Sequence, residues 1–303
     1  MTFTEHLAEF AGLPVVTHGA DGAGPPPAAD AVAWRITSEG QAEDWEGCLD
    51  LFEAEIDAAR VTTLVVGSWW QDRHPLEILL ERAASYPALR ALMLGDVLGE
   101  ECEVSWIVQG DVTPLLEAFP RLEVLAVRGA DVQWPPVESG VLRELRFESG
   151  GLPVEVVRGV AASDLPALES LALMLGDSGY GGDTELDDLA PFLDGARFPA
   201  LRHLGVENCE FTDRVAAALA AAPVVARLES LSLALGTLSD AGAEALLSGQ
   251  PLTHLRRLDL HHHFLSEGMV ERLRAALPDT EIDAGEPLRD DARPGFIYIA
   301  VAE

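Results

Sequence analysis

Residues 259–263 read Asp-Leu-His-His-His. Alternate side chains of an extended strand share a face, so Asp259, His261 and His263 would point together. A carboxylate and two imidazoles at that spacing form a donor set that zinc accepts. His203 is a further imidazole that could join them. No other ligand cluster accompanies this run, and a run of histidines at a strand end is more often a polar loop, so the expectation is no metal and no cofactor. Glu100, Glu101 and Glu103 could hold a cation, but a solvated loop accounts for them. Gly179, Gly181 and Gly182 lack the lysine of a phosphate loop and suit a tight turn. The chain contains no lysine, which removes Schiff-base chemistry, and no Gly-x-Ser-x-Gly, His-Glu-x-x-His or Cys-x-x-Cys motif. Cys48, Cys102 and Cys209 are odd in number and far apart, a usage expected of a reducing compartment. An enzyme is not expected.

Charge narrows the partner classes. The 303 residues include 51 acidic against 20 basic side chains, a net charge of -31. Nucleic acids and anionic membranes are held by clustered positive charge that displaces counterions, and no such cluster occurs. The acidic surface is read as a solubilising one. The N-terminus shows no basic leader with an apolar run, and no stretch is long enough to span a bilayer, so a cytoplasmic location is expected.

What must position these residues is a recurring frame, Leu-x-x-Leu-x-Leu or a close variant. Its copies start at 61, 89, 122, 142, 168, 201, 228 and 255, with steps of 28, 33, 20, 26, 33, 27 and 27 residues. That frame at that period marks a leucine-rich repeat, one strand and one return segment per copy. A single copy cannot bury its apolar edge, so neighbours stack into a continuous core. The fold class expected is an α/β leucine-rich-repeat solenoid, a right-handed β/α horseshoe with a parallel concave sheet and caps at both ends. Return helices are expected at 75–85, 154–162, 186–193, 213–222, 240–248 and 267–277, several opened by a polar cap such as Thr212, Ser239 or Ser266. Pro87, Pro120, Pro166 and Pro199, each two residues before a frame, stop the preceding helix. Three regions follow: a lead-in and cap at 1–60, the solenoid at 61–283, and a linker with a capping strand at 284–303. Within the first, residues 1–30 read as loosely held, 31–36 as a strand and 43–59 as an amphipathic helix. Residues 280–283 suggest a ninth, shortened strand, and the apolar run 296–301 is expected to dock as a strand or cap.

The third and fifth places of each frame should line the concave face. In the early copies these are unusually apolar, among them Val65 and Met93, and Trp69 and Trp70 follow the first strand. Exposed apolar residues with aromatic neighbours commonly anchor a protein partner, although a folded-over cap would equally explain them. Two 33-residue steps carry insertions at about 96–110, with Trp106, and 176–184, with Tyr180. Lying three strands apart, they should sit roughly 14 Å from each other on one edge. The 20-residue step between them, through Trp134-Pro135-Pro136, has no room for a full helix.

The frames, with Asn208-Cys209 after the 201 copy, resemble the ribonuclease-inhibitor-like class of leucine-rich repeats. The run 101–107, Glu-Cys-Glu-Val-Ser-Trp-Ile, with Gly110-Asp111, is similar to a group of stand-alone bacterial cytoplasmic leucine-rich-repeat proteins, as is Leu173-Met174-Leu175-Gly176 with residues 180–183. The resemblance, from about Arg35 to the end, implies a horseshoe and a scaffold role without catalytic residues. The turn asparagine of the class occurs only at Asn208, a departure from a continuous asparagine ladder. The expected function is a non-enzymatic scaffold for a protein or peptide partner. Its contacts are assigned to Val65, Trp69, Trp70, Met93, Trp106, Arg146, Met174 and Tyr180, with Arg146 orienting an acidic group. The alternatives are an accessory subunit of a neighbouring enzyme and a metal-dependent protein centred on Asp259, His261 and His263.

Overall fold

The structure is a computed structural model that describes residues 3–20, 26–38, 44–69, 73–288 and 297–302. Every copy of the frame contributes one strand to one sheet. An N-terminal hairpin, β1 (Glu9–Phe10) and β2 (Leu13–Thr17), leads into β3 (Ala33–Ile36), β4 (Thr63–Val66) and β5 (Ala91–Leu94). Then come β6 (Val108–Asp111), β7 (Val124–Arg128), β8 (Ala130–Gln133), β9 (Glu144–Glu148), β10 (Ser170–Gly176) and β11 (His203–Cys209). The series ends with β12 (Ser230–Ser232), β13 (Arg257–Asp259) and β14 (Glu281–Asp283). Twelve strands follow one another in chain order across the sheet, while β6 and β8 form a separate two-stranded ribbon. All the pairings are parallel except that of β1 with β2.

Parallel neighbours require a crossover, and helices on one face supply most of them. They are α1 (Trp45–Glu55), α2 (Pro75–Glu81), α3 (Pro114–Ala118), α4 (Val154–Ala162), α5 (Ala190–Leu193), α6 (Thr212–Leu219), α7 (Asp240–Ser248) and α8 (Glu267–Ala276). Between sheet and helices runs a continuous core. The fourth frame residues Leu64, Leu92, Leu125, Leu145, Leu171, Leu204, Leu231 and Leu258 lie on one rung, and none is more than 1% exposed. Ser239 and Ser266 cap α7 and α8 as expected. Thr212 does not cap α6: its hydroxyl donates to Cys209 O, and Asp213 instead accepts the Ser239 amide of the next copy at 2.8 Å. No helix among the described residues is long and apolar enough to cross a membrane.

The second frame residue carries a pattern of its own. Arg90, Glu123, Arg143, Glu169, Arg202, Glu229 and Arg256 alternate in sign over seven successive strands of the sheet. From Glu123 on, each backbone amide donates to the carbonyl of the residue before it in the series, at 2.7 Å. Side-chain pairs form at Arg90–Glu123, Arg143–Glu169 and Arg256–Glu229. Such exposed pairs add little energy, but like charges on neighbouring strands are destabilising, so the alternation favours this register.

Two segments differ from expectation. Residues 9–17 are not a loosely held lead-in; β2 pairs with β3 and extends the sheet by two strands with β1. In the short step, β8 replaces the helix and pairs with β6 from the first insertion. The Trp134 indole donates to Ser163 Oγ and anchors this stretch to α4's end.

Candidate functional site

The sheet face opposite the helices divides into a covered apolar part and an open polar part. Val65, Met93, Ala33 and Ala126 form one apolar patch, sealed by Leu7, Phe10, Leu13 and Val15 from the N-terminal hairpin region. Met174 belongs to a second patch with Val104, Ala234, Leu235 and Val301, against which Phe3 packs. Val65, Met93 and Met174 are at most 1% exposed, so none offers a surface to a partner while the chain's own ends cover them. The cause is elementary: an apolar sheet face in water is covered by whatever apolar chain is at hand, and both ends of this chain supply it. Trp70 lies outside the described residues.

Beside the apolar patches runs a belt of paired charges. Asp96, fully buried, faces Arg35 at 3.1 Å and Arg128 at 3.6 Å. Arg128 reaches Glu148 at 2.7 Å, and Phe3 stacks over its guanidinium at 3.7 Å. Glu148 in turn binds Arg146, whose other edge meets Glu207, both at 2.7 Å. Arg146 is therefore not held ready for a partner's carboxylate; two carboxylates of its own chain occupy it. Burial alone would push the Glu148 carboxyl up, but Arg128 and Arg146 outweigh it and hold it at about 2. Burial opposes the charge on Arg146 too, and Glu207 and Glu148 overcome it and raise its pKa.

Past Arg146 the face opens into a polar cavity of about 350 Å³ lined by His203, Glu207, Ser230, Arg257, Asp259 and His261, among others. His203 Nδ1 lies 2.7 Å from Ser230 Oγ, and burial pushes its pKa down. His261 Nδ1 donates to Asp259 Oδ1 at 2.7 Å, which raises the imidazole's pKa. Asp259, His261 and Asp283 bring one ligand atom each to within 4.8 Å of one another. His263 is not with them. β13 ends at Asp259 and His262 takes a left-handed φ of 56°, so the strand alternation that would align His263 is broken. His263 is buried instead, its Nε2 donating to Ala284 O and its Nδ1 accepting from Leu265 N. Arg257 lies 3.3 Å from Asp259 and 3.9 Å from Asp283, so a cation already faces both carboxylates.

The first insertion builds a different kind of site. Trp106, 74% exposed, and Val108, 51% exposed, stand at a cavity of about 420 Å³ together with Trp69, His74, Cys102 and Ile107. Trp69 packs edge-on to His74, whose Nε2 donates to Val108 O at 2.9 Å. The His74 ring is pushed toward neutrality by burial. Of the acidic residues nearby, Glu101 closes its own loop, its Oε2 accepting the Leu98 amide at 2.7 Å. Tyr180, 39% exposed, belongs to the second insertion. Both insertions meet at Gly150-Gly151, where an added Cβ would lie 3.2 Å from Val104 Cγ1 and 2.1 Å from Tyr180 O respectively. Of the residues assigned to a partner, Trp69 and Trp106 come together and Tyr180 sits on the adjoining insertion. Val108, Ile107 and His74 were missed; the apolar run 106–108 was the signal that could have found the first two.

No protein-family profile matches the chain, and no curated protein matches it. Among solved structures, the chain is similar to a Bacteroides fragilis protein of known crystal structure, with 28% identity over 81% of this chain and 70% of the other and a TM-score of 0.74. The two share their fold. A leucine-rich-repeat protein of Leptospira interrogans overlays at 18% identity over 73% of this chain and 55% of its own length, with a TM-score of 0.30, too low to carry weight.

Proposed function

We propose that this chain is a leucine-rich-repeat solenoid of the right-handed β/α horseshoe type, acting in the cytoplasm as a non-enzymatic module that binds a protein or peptide partner. The observation that carries the reading is Trp106, standing three-quarters exposed beside exposed Val108 at the mouth of an apolar cavity. A large apolar pair left in water on a chain of net charge -31 is the surface feature expected of a contact site. The same charge selects the partner's chemistry: an apolar side chain for the cavity, carried on a basic segment that long-range attraction steers in. The test is affinity capture from extract of the source organism with wild type, Trp106→Ser and Asp259→Asn. Partners lost only with Trp106→Ser, and released by salt, support the reading; identical partners with all three chains overturn it.

A second reading, a divalent-cation site, is favoured by the convergence of Asp259, His261 and Asp283 and opposed by Arg257 between the carboxylates. Titration calorimetry with Zn²⁺ decides it: stoichiometric heat lost in His261→Ala supports the site, and no heat excludes it.

A further inference from the structure

Asn208, Leu235 and His262 recur at steps of 27 residues. All three take left-handed backbone, with φ of 49°, 64° and 56°. The C-terminal residues cross all three in turn. His262 Nε2 lies 3.4 Å from Tyr298 O. The Ala300 amide donates to Leu235 O at 2.8 Å. Asn208 takes both polar groups of Val301, its Oδ1 accepting from Val301 N at 3.0 Å and its Nδ2 donating to Val301 O at 2.5 Å. Beyond it, Gly150 leaves the room that Ala302 O fills, since a Cβ there would stand 2.6 Å from that oxygen.

The spacing explains the match. Three extended residues advance about 10 Å, and two strand separations measure about 9.6 Å, so an extended chain laid across the strand ends keeps step with the repeats. Alternate side chains turn inward: Ile299 and Val301 are buried while Tyr298 is 43% exposed. Val301 seats among Val104, Met174, Ala234 and Leu235. Asn208 is fully buried, and besides Val301 its amide meets only Ser149 O at 3.4 Å among the described residues. Without a peptide unit in front of it, a buried amide would lose its best partners.

We propose that this track is a peptide-binding site for an extended apolar segment, recognised through its backbone at Asn208 and Leu235 and through alternate apolar side chains, and filled in cis by residues 298–302. Its residues are not those of the Trp106 cavity, so it stands or falls apart from the function proposed above. A segment of the same chemistry on another protein can take the track only by displacing the chain's own end, which competes at the high effective concentration of a tethered ligand.

The experiment uses the full chain and a fluorescein-labelled peptide of residues 297–302, Ile-Tyr-Ile-Ala-Val-Ala, followed by anisotropy. Val301→Asp puts a charge into the apolar seat and dislodges the chain's own end. This variant is expected to bind the peptide at least about tenfold more tightly than wild type. Adding Asn208→Ala to it should abolish that gain, and a peptide with Asp in place of its Val should not bind. Should Val301→Asp lose its circular-dichroism signature, Val301→Ser removes the apolar fit without adding charge and reads the same competition. Absence of peptide binding to a folded Val301 variant, or equal binding by that variant and its Asn208 double variant, overturns the proposal.

Discussion

Arg128 and Glu148 stand directly opposite each other on neighbouring strands, their side chains 2.7 Å apart and almost wholly out of water. Removing one partner leaves the other charge buried with only its second contact, Arg146 for Glu148 or Asp96 for Arg128. Glu148→Gln or Arg128→Met is expected to destabilise the chain by about 3–5 kcal/mol. Combining Glu148→Gln with Arg128→Met should cost less than the sum of the two single losses. Urea denaturation of the four chains measures this double-mutant cycle, and additive losses would refute the coupling.

The same pair sets an acid limit. Glu148 is held at about 2, against an ordinary value of 4.5. A depressed carboxylate gives stability that is present above its unfolded pKa and lost as pH falls through the folded one. Stability should therefore decline from about pH 4.5 toward pH 2, and Glu148→Gln should flatten that decline. Urea midpoints collected across this window check it.

His261 titrates in the opposite sense. Its bond to Asp259 raises its pKa, so its contribution is complete below the ordinary imidazole range and fades as pH rises through the raised value. Histidine ring resonances should place His261 above His203, which burial lowers. Asp259→Asn should bring His261 down; an unmoved His261 would show that Asp259 is not the cause.

Gly151 should not tolerate a side chain. A Cβ there would meet Tyr180 O at 2.1 Å, backbone that cannot step aside cheaply. Gly151→Ala is expected to cost about 1–3 kcal/mol by strain and to shift the second insertion. Gly268→Ala, with open space around it, is the control. Thermal unfolding of both variants compares them, and equal melting temperatures would count against close packing at Gly151.

How far these features could be read in advance depends on whether they are local. The frame announced every strand from β4 to β13 apart from the β6–β8 ribbon, because alternation is a property of adjacent residues. Helices at 154–162 and 240–248 fell on the residues expected for the same reason. Nothing local revealed that Leu7 and Phe10 would cover Met93, or that Val301 would reach Met174 across more than a hundred positions. Apolar residues on a strand look alike whether a partner or the chain's own end seals them, and so Val65, Met93 and Met174 were misassigned. His263 was misplaced for a narrower reason, a single left-handed residue that ends the alternation. The exposure of Trp106 was legible because an insertion interrupts the frame there.

The alternating arginine and glutamate of successive strands carry one more consequence. Excising one copy from the interior of the series would set two guanidinium groups, or two carboxylates, side by side. Excising two in succession would leave every neighbour opposite in sign. By this rule a change in copy number that keeps every neighbour opposite in sign adds or removes copies two at a time.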